Sequence, residues 1–291
     1  MRKIIAMTKF KEPLVTIYIP TFNRINLLKR ALDSVLAQTY KNIEVIVVDD
    51  CSSDETANYL QEISLQDKRI RYHIKEKNGG ACESRNIAIN MAKGDFITGL
   101  DDDDYFKENR IKEFVEHCRK TGHDFLCSSF IIKDKKEFRK SNPYEGLIDS
   151  YEIKYKNLID NQVFTRLDFM KKVGGFDENA PAWQDYDLWF RLVINIKPCF
   201  RINNYSYVKD ISHENPRITT SSKAYKGYLY FVAKHKHILS QNNKKCLYMI
   251  DILNRNQKIP FLGLVNHFCL KSLIIYIKHL TPKSLVKLIR E

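Results

Sequence analysis

Residues 95–104, Asp-Phe-Ile-Thr-Gly-Leu-Asp-Asp-Asp-Asp, place four consecutive carboxylates directly after a short apolar strand pattern. Such a cluster repels itself and costs stability unless a cation neutralises it. Mg²⁺ and Mn²⁺ take oxygen ligands, usually one or two carboxylates together with the phosphates of a nucleotide. An isolated acidic run is more often a solvated loop. This run, however, follows a strand, and open α/β sheets bind their ligands at the carboxyl ends of strands.

A second acidic motif also follows an apolar run. Residues 49–54, Asp-Asp-Cys-Ser-Ser-Asp, come directly after Ile43–Val48, whose nearly continuous apolar character is typical of a strand covered on both faces. Two strand ends that carry carboxylates are explained better by a nucleotide and metal site than by chance. The two motifs therefore predict such a site at the carboxyl edge of a parallel sheet.

Strand and helix patterns alternate along the chain, as expected for an α/β protein with a parallel, doubly wound sheet. β-rich runs are predicted over 14–20, 43–48, 69–74, 96–100 and 125–132. Apolar residues at helical spacing separate them, over 27–36, 54–65, 81–92 and 111–118. An exposed excursion is predicted next over 133–156, then a strand at 162–165 and helices at 167–173 and 186–194. After about residue 222 only basic helices are predicted.

The positive charge of the chain is concentrated at its C-terminal end. The whole chain of 291 residues carries a net charge of +13. Residues 223–291 hold 13 lysines and arginines against two acidic residues, a net charge of +11, which leaves only +2 for the first 222 residues. The basic character therefore indicates a partner of the C-terminal region and not a property of the acidic site.

Cysteine usage and hydropathy indicate a cytoplasmic protein. The seven cysteines form no CxxC pair and no zinc-type spacing, which is typical of reduced thiols in the cytosol. Residues 1–10 are too short and too polar for a secretory signal. The most apolar late stretch, 261–277, is interrupted by Asn266, His267 and Lys271, and falls short of the roughly 18–20 apolar residues of a spanning helix. We therefore expect no transmembrane segment.

Five motifs occur in an order and spacing that resemble those of family 2 glycosyltransferases of the bacterial polysaccharide and O-antigen type. They are Pro20–Arg24 (PTFNR), Val48–Asp54 (VDDCSSD), Asn78–Gly80 (NGG) with Arg85 and Asn86, Leu100–Asp104 (LDDDD) and Gln184–Trp189 (QDYDLW). Each motif alone is weak, but the ordered set, which covers about residues 13–220, is specific. The resemblance implies the GT-A fold, a Rossmann-like α/β architecture with a mostly parallel twisted sheet flanked by helices.

The resemblance and the charge distribution together predict two regions. Residues 1–222 are expected to form the GT-A catalytic domain, with a nucleotide-sugar half at about 13–105 and an acceptor half at about 106–222. Residues 223–291 are expected to form a basic α-helical C-terminal extension. Its apolar stripes, Leu273, Ile274, Ile277 and Leu280, then Leu285, Leu288 and Ile289, are flanked by Lys271, Lys278, Lys283, Lys287 and Arg290. Such helices are typical of an anionic bilayer interface, although they could instead pack on the catalytic domain.

The resemblance implies that the donor is a UDP-sugar. Asp50 is expected to accept hydrogen bonds from the uracil and the ribose, although Asp49 and Ser52 could merely cap the next helix. Phe22 is expected beside the base, and taken singly it could equally belong to the core. Arg85 can face the donor phosphates or a carboxylate of the site, or be a solvated helix arginine. The residues expected to bind the nucleotide sugar are Pro20, Thr21, Phe22, Asn23, Arg24, Asp50, Gly80, Arg85, Asp101 and Asp102.

The resemblance also implies Mn²⁺ or Mg²⁺ as the cofactor. Asp103 is the expected direct ligand, and Asp101 pairs with it because residues i and i+2 of an extended segment project to the same side. Asp102 aligns with a position that touches the ribose or the sugar. His213 lies in a polar stretch that resembles a loop closing over the donor in some relatives, where neutral imidazole could be a third ligand. A histidine in such a loop is also commonly just solvated.

Asp185 occupies the position of the family's catalytic base. It would take the proton of the acceptor hydroxyl from the face opposite the leaving group, and this in-line displacement inverts the anomeric centre. Its place at the start of a helix also allows a simple N-cap role, and Asp187 is the second candidate for the base. The family's usual Glu is replaced here by Gln184, which removes one negative charge beside Asp185. The residues expected to bind the acceptor are Trp183, Gln184 and Asp187.

These expectations combine into one function. The chain is expected to be an inverting glycosyltransferase that moves a hexose or N-acetylhexosamine from a UDP-sugar to a sugar hydroxyl of a polyprenyl-diphosphate-linked acceptor. The product would be a bacterial cell-surface polysaccharide, an O-antigen or a capsule. The enzyme would lie at the inner face of the plasma membrane, held through residues 223–291 by anionic lipid.

Two other classes of function fit the sequence less well. A metal-dependent phosphoryl-transfer enzyme would also use aspartates, but such phosphatases place Asp-x-Asp after their first strand with Thr or Val two residues beyond. Here the acids follow a fourth predicted strand, and Tyr105 stands in that place. A nucleic-acid-binding protein is suggested only by the charge, and the sequence contains no recognised binding motif or stacking-aromatic pattern. We therefore expect no nucleic-acid partner.

Overall fold

The computed structural model describes residues 12–160, 162–212, 223–255, 257, 263 and 266–280, with backbone alone for 275 and 278–280. It divides into two compact units, and each is taken by itself. The first unit comprises Met1–Tyr144, Gln162–Lys172 and Ile202–Ile211. The second comprises Glu145–Asn161, Val173–Arg201 and Ser212–Glu291. The predicted division at residue 222 remains a prediction.

Four parallel strands form the centre of the first unit. In the order β3-β2-β1-β4 they are Ile70–Ile74, Ile43–Asp49, Val15–Thr21 and Phe96–Gly99. All seven residues of β2 are buried, as expected for a strand with both faces covered. The helices that connect these strands are α1 Ile25–Leu36, α2 Thr56–Gln66 and α3 Ala81–Met91. Because the strands are parallel, the loops that follow them meet at one edge of the sheet.

Antiparallel strands extend the sheet beyond β4. The order continues through β9 Phe164–Arg166, β6 Phe125–Lys133, β10 Cys199–Asp210 and β5 Tyr105–Phe106, and β7 Phe138–Lys140 pairs with β6. The helices of this part are α4 Arg110–Thr121 and α5 Leu167–Lys172. The predicted α/β architecture with a mostly parallel central sheet is confirmed, and the antiparallel pair of β5 and β10 lies beside the acidic run, because β5 directly follows Asp104.

The second unit is mainly helical. Its strand β8 Gly146–Ile148 pairs with the first residues of β10, with Cys199 opposite Ile148. Its helices are α6 Gln184–Asn195, α7 Lys223–Lys234, α8 Gln241–Asn254 and α9 Leu270–Leu280. Ser240 and Asn243 form a capping box that begins α8. Within the part of the chain that the structure describes, none of the helices has the length and apolar character needed to cross a membrane.

Two parts of the sequence prediction were wrong. Residues 133–156 are not simply an exposed excursion, because β7 and β8 lie there and Ile148 and Ile153 are buried. The twelve-residue strand β10 was not predicted, since Asn203, Asn204 and Lys209 break the apolar alternation that indicates a strand. β10 is stabilised by its position between β6 and β5, which no local pattern reveals.

Candidate active site

The predicted nucleotide and metal residues converge at the carboxyl edge of the parallel strands in the first unit. The segment 21–24 begins at the last residue of β1, 49–54 begins at the last residue of β2, and 101–104 follows β4. Gly79 and Gly80 stand just before α3 at the same edge, where their amides contact Asp50. The sheet topology thus brings together four motifs that are separated by up to 80 residues in sequence.

The four aspartates form a turn and not an extended segment. The amide of Asp104 donates to the carbonyl of Asp101 at 3.0 Å, the hydrogen bond of a four-residue turn. The prediction that the acidic segment is extended was therefore wrong. Alternate aspartates of the run nevertheless share one environment, as predicted. Asp101 and Asp103 are partly exposed, whereas Asp102 and Asp104 are buried. The turn presents one pair of carboxylates outward and directs the other pair into the protein.

The buried pair has partners from distant strands. Asp102 accepts hydrogen bonds from the Thr21 hydroxyl at 2.9 Å and from Arg24 at 3.1 Å. Burial raises the pKa of Asp102 to about 6, despite the opposing charge of Arg24. Asp104 accepts from the Tyr207 hydroxyl at 2.6 Å and from the amide of Asp210 at 2.9 Å, and burial raises its pKa as well. Both side chains hold the turn against β1 and β10.

The outward pair provides hard oxygen donors. Asp101 accepts from Arg85 at 2.9 Å and from Gln162 at 3.3 Å, and Asp103 from Arg24 at 3.4 Å, with exposed side-chain fractions of 25% and 20%. Arg85 is therefore a buried partner of a site carboxylate and not a solvated helix residue. Gln162 was not predicted as a site residue, because its sequence context indicates only a strand.

This donor set fits Mn²⁺ or Mg²⁺ in combination with phosphate. Carboxylate oxygens are the ligands these ions prefer, and Mg²⁺ sites often use one or two carboxylates with substrate phosphates. Within the described ranges, no group of three or more histidine, cysteine, aspartate and glutamate side chains is arranged to hold a metal ion. Asp101 and Asp103, the partly exposed carboxylates of the turn, match this preference for one or two protein carboxylates. His213, the predicted third ligand, lies outside the described residues.

Asp50 organises the loop that precedes α3. Its buried carboxylate accepts from the amides of Gly79 at 2.9 Å and Gly80 at 2.7 Å, and from Lys75 at 2.6 Å. Lys75 also donates to Glu83 at 3.0 Å, so the loop and the first turn of α3 share one buried cation. Gly80 has φ +87°, a conformation that favours glycine. Lys75 was not predicted, since nothing in the local pattern distinguishes it from a surface lysine.

The neighbouring residues Asp49 and Ser52 do not cap the next helix. Ser52 donates both its amide and its hydroxyl to Asp49, closing a turn that precedes α2 by several residues. The Ser52 hydroxyl also accepts from the amide of Asn23 at 2.8 Å, and Asn23 Oδ1 accepts from the amide of Ser53 at 2.7 Å. The loops after β1 and β2 are therefore tied together. Phe22, between Thr21 and Asn23, is 42% exposed and is therefore not a core residue.

The predicted base lies in the second unit, in the first turn of α6. The residue that caps this helix is Trp183, so an N-cap role for Asp185 was wrong. Asp185 is half-buried, and Gln184 beside it donates to the carbonyl of Ala180 at 3.1 Å. Trp183 is half-buried against Tyr186, with ring centroids 5.6 Å apart. The residues on either side of Asp185 are therefore held by contacts in the first turn of α6.

Asp187 is buried beside two cationic side chains and an imidazole. Only 2% of the residue is exposed, and its carboxylate meets Arg191 at 2.8 Å, Lys234 at 2.9 Å and His235 at 2.8 Å. Burial alone would raise the pKa of Asp187, but the His235 hydrogen bond and the charges of Arg191 and Lys234 lower it to about 2. A carboxylate so acidic and enclosed is a poor proton acceptor and offers little surface to an acceptor sugar.

Backbone strain marks three of the predicted motifs. Among the described residues, four that are not glycine have positive φ: Asn23, Cys51, Asp160 and Trp183. Asn23 is itself a predicted site residue, Cys51 follows Asp50, and Trp183 precedes Gln184 and Asp185. Such conformations cost about 1–3 kcal/mol each and cluster at functional sites, where the surrounding structure maintains them. Their positions support a functional role for the loops after β1 and β2 and for the start of α6.

The Asp187 cluster gives a testable pH dependence of stability. The folded-state pKa of about 2 lies below the ordinary value of 3.8, so the stabilisation is complete above 3.8 and is lost as pH falls towards 2. We expect Asp187→Asn to lower the free energy of unfolding by about 2 kcal/mol at pH 7, and by about 1 kcal/mol less at pH 3. Urea unfolding at both pH values measures this, with the exposed Glu178→Gln as control. A difference that is the same at both pH values would contradict it.

Comparison with known proteins relates these motifs to one family. The family described as Glycosyl transferase family 2 matches residues 16–173 of this chain. The protein named as the WcaA glycosyl transferase of colanic acid biosynthesis in Escherichia coli (strain K12) is 36% identical over 244 residues. That match covers 80% of this chain and 85% of WcaA.

Solved structures share the fold at lower identity. S. aureus TarS 1–349 in complex with UDP-GlcNAc has a TM-score of 0.63 at 19% identity, covering 82% of this chain and 66% of that one. The mannosyltransferase PcManGT from Pyrobaculum calidifontis, in complex with GDP-Man and Mn²⁺, has a TM-score of 0.63 at 15% identity, covering 93% of this chain and 80% of that one. The fold is therefore that of the GT-A glycosyltransferases. Since the family match spans more than half of the chain, the protein belongs to glycosyl transferase family 2 and is a glycosyltransferase.

Proposed function

We propose that this glycosyltransferase transfers a sugar from a UDP-sugar with inversion, in the synthesis of a bacterial cell-surface polysaccharide. The observation that carries the donor half is the acidic turn, which presents Asp101 and Asp103 outward at the edge where the loops after β1 and β2 meet. TarS has been solved with UDP-GlcNAc and with UDP, which supports a uridine nucleotide. WcaA, named for colanic acid biosynthesis, supports a polysaccharide product.

Each part of the donor site has its own task in this proposal. Exposed Phe22 would lie beside the base, and Asp50 would face the uracil and ribose while keeping the Gly79–Gly80 loop in place. Arg85, held by Asp101, would contribute positive charge near the diphosphate. Asp101 and Asp103 would hold Mn²⁺ or Mg²⁺, which when bound neutralises charge on the departing diphosphate.

Asp185 would act on the acceptor. A half-buried carboxylate at the first turn of a helix can accept a proton, and its neighbour Asp187 is too acidic and too enclosed to compete. Removal of the hydroxyl proton by Asp185 as the sugar leaves its diphosphate gives a single displacement, and therefore inversion. Trp183 and Gln184, beside the base, would contact the acceptor glycan. We propose a polyprenyl-diphosphate-linked acceptor at the inner face of the plasma membrane.

A panel of nucleotide sugars tests the donor class. We expect metal-dependent binding and slow hydrolysis of one UDP-sugar with a hexose or N-acetylhexosamine, and little with GDP-mannose. Asp50→Ala should weaken UDP binding at least tenfold, because it removes the carboxylate that fixes the loop amides. Titration calorimetry with UDP and Mn²⁺ measures this, and the exposed Asp33→Ala is the control. A preference for GDP-sugars would reject the uridine nucleotide and leave the family assignment intact.

Two of the C-terminal helices, α7 and α8, pack within the second unit, whereas α9 has exposed apolar residues. α7 and α8 pack within the second unit through a set of buried residues that includes Gly227, Phe231, Leu247 and Met249. Several cations of this region are engaged internally, such as Lys234 with Asp187 and Arg255 with Asp251 at 2.7 Å. These two helices are therefore packed within the second unit, and the choice between membrane contact and packing concerns the apolar stripes that follow them. Residues 281–291, which hold the second apolar stripe, lie outside the described residues.

An exposed apolar stripe remains on α9. Leu270, Ile274 and Ile277 lie on one side of the helix, with Leu270 73% exposed. Lys271 points back to the rings of Tyr151 and Tyr155, at 4.2 and 3.7 Å from their centroids, which holds the helix start in one orientation. We propose that this stripe, with the net charge of +11 over 223–291, binds the anionic cytoplasmic surface of the membrane.

Liposome binding tests the C-terminal stripe. The full-length protein should pellet with phosphatidylglycerol-containing liposomes at low salt and largely release at high salt, because salt screens the attraction between lysines and lipid. The triple replacement of Leu270, Ile274 and Ile277 by serine should reduce pelleting several-fold and leave UDP binding unchanged. Leu65→Ser, which removes an exposed leucine of α2, is the control. Equal pelleting with neutral and anionic liposomes would show that charge does not recruit the protein.

A further inference from the structure

Helix α7 contacts the start of α6 at successive points along one face. Gly227, Phe231 and His235, which directly follows α7, are each four residues apart, and Lys234 is three residues from Phe231, which is the spacing of neighbours on a helical face. Each of them meets the segment 182–187, which contains Asp185. We call these four residues the α7 brace. It belongs to the C-terminal region that the sequence sets apart by its charge, yet its contacts are with the helix that carries the proposed base.

The first contact is a close backbone approach at Gly227. A Cβ at this position would lie 2.7 Å from the Cβ of Ala182 and 2.8 Å from its carbonyl carbon and oxygen. Real Cβ atoms do not approach backbone so closely, so only glycine fits. Ala182 directly precedes Trp183, whose positive φ of +62° must be maintained by its surroundings. The lack of a side chain at Gly227 thus allows α7 to support the strained peptide that begins α6.

The second contact is aromatic. The ring of Phe231 stacks on Tyr186 with centroids 4.6 Å apart and planes at 13°, and it lies 5.7 Å from the ring of Trp183. Tyr186 is buried and donates its hydroxyl to the carbonyl of Ile153. Phe231 therefore touches the residues two before and one after Asp185. Packing from both sides restricts the orientation of this first turn.

The third contact is ionic. Lys234 and His235 meet the carboxylate of Asp187, and Lys234 also bonds Asp177 at 2.5 Å. On the other side, Arg191 donates hydrogen bonds to Asp187 and to the carbonyls of Val173 and Gly175. A buried carboxylate with partners from its own helix and from the end of α7 fixes the backbone that carries it, because any displacement would leave charges unpaired in the interior. Asp187 is two residues from Asp185 on the same turn.

We propose that Gly227, Phe231 and His235 are positioning residues for the reaction, which hold Asp185 through the first turn of α6. The proposal rests on the proposed role of Asp185 as base. General-base catalysis requires the carboxylate within hydrogen-bond reach of the hydroxyl, and a misplacement of about 1 Å can cost on the order of a hundredfold in rate. The first helix of the basic C-terminal region therefore serves catalysis, separately from any membrane contact.

Gly227→Ala in the full-length protein is the sharpest test. Alanine ordinarily strengthens a helix, so helix propensity alone predicts a protein at least as stable and as active. The brace predicts the opposite: at least a tenfold fall in kcat, with the affinity for UDP and Mn²⁺ unchanged within twofold. Acrylamide quenching of tryptophan fluorescence should increase, because Trp189 is buried and Trp183 is the tryptophan that the displaced helix uncovers. Lys226→Ala, on the exposed face of α7, is the matched control.

His235 supplies an independent pair of variants. His235→Ala should lower kcat at least tenfold without changing UDP affinity, and His235→Gln, which can still donate a hydrogen bond to Asp187, should remain within threefold of the natural protein. The exposed His237→Ala is the control. If His235→Ala or Gly227→Ala does not fold, the His235→Gln result decides. A kcat for His235→Gln as low as that expected of His235→Ala would overturn the proposal.

The results of these experiments distinguish a failure of the brace proposal from a failure of the proposed function. Normal kcat in both Gly227→Ala and His235→Ala would overturn the brace, as would parallel losses of kcat and UDP affinity, which indicate general unfolding. If Asp185→Asn is fully active, the assignment of the base fails. A selective loss of kcat in Gly227→Ala would then still show that α7 positions the first turn of α6, with another group of that turn taking the proton.

Discussion

Asp185→Asn should reduce sugar transfer by about a hundredfold to ten-thousandfold, the usual contribution of a positioned general base. The amide keeps the shape of the side chain but cannot take the proton of the acceptor hydroxyl. Affinity for the UDP-sugar should not change, because the donor contacts proposed here lie in the loops of the first unit. The loss should therefore be in kcat, and UDP binding by calorimetry should match that of the natural protein.

The matched control is Glu178→Gln, which makes the same carboxylate-to-amide change at an exposed position of the second unit. The anomeric configuration of the product provides a second check, since a single displacement requires inversion. Normal transfer by Asp185→Asn would exclude this residue as the base, and the enclosure of Asp187 makes that residue a poor substitute. A product with retained configuration would reject the single-displacement mechanism altogether.

Asp103→Ala should lower transfer by about a hundredfold or more, because it removes a ligand of the cation that stabilises the departing diphosphate. The same variant should bind Mn²⁺ more weakly in the presence of UDP, which calorimetry measures without any turnover. In the natural protein, excess EDTA should abolish transfer, and Mn²⁺ or Mg²⁺ should restore it. Asp33→Ala, which removes an exposed carboxylate of α1 in the same unit, should leave both quantities unchanged.

The structure distinguishes Asp103 from its neighbours in the acidic turn. Asp104→Asn should act through the fold, lowering stability, because its carboxylate bonds Tyr207 and the amide of Asp210. Asp103 is partly exposed, and its removal should leave the unfolding midpoint nearly unchanged. Full activity of Asp103→Ala in excess chelator would reject the assigned metal site. An equal loss of stability in both variants would show that Asp103, too, is structural.

The central fold could be predicted because its signals are local. β1 to β4 and the helices between them alternate with clear periodicity, and the observed bounds differ from the predicted ones by only a few residues. β10 could not be predicted in this way, because polar residues interrupt its pattern and its stability comes from the strands on either side. The short strands β7 and β8 within 133–156 were missed for the same reason.

The candidate site, too, could be predicted only in part from the sequence. Asp50, Asp101 and Asp103 were chosen from the ends of apolar runs and from a family resemblance, and the parallel sheet does bring these positions to one edge. The groups that hold them were not found: Lys75 on Asp50 and Gln162 on Asp101 come from segments with no distinctive pattern. Hydrogen-bond partners so far apart in sequence are set by the topology of the chain and not by local residue order.

The sequence by itself determined the fold class, the family and the identity of the acidic residues, because periodicity and ordered motifs are properties of neighbouring residues. Only the tertiary structure decided which of the neighbouring acids in each motif are exposed and which are buried. It turns Asp103 outward and Asp104 inward, and it leaves Asp185 half-buried while Asp187 is enclosed by His235 and Lys234, which lie about 48 residues further along the chain. Burial and charge pairing depend on such distant contacts, and these contacts set the pKa of a carboxylate.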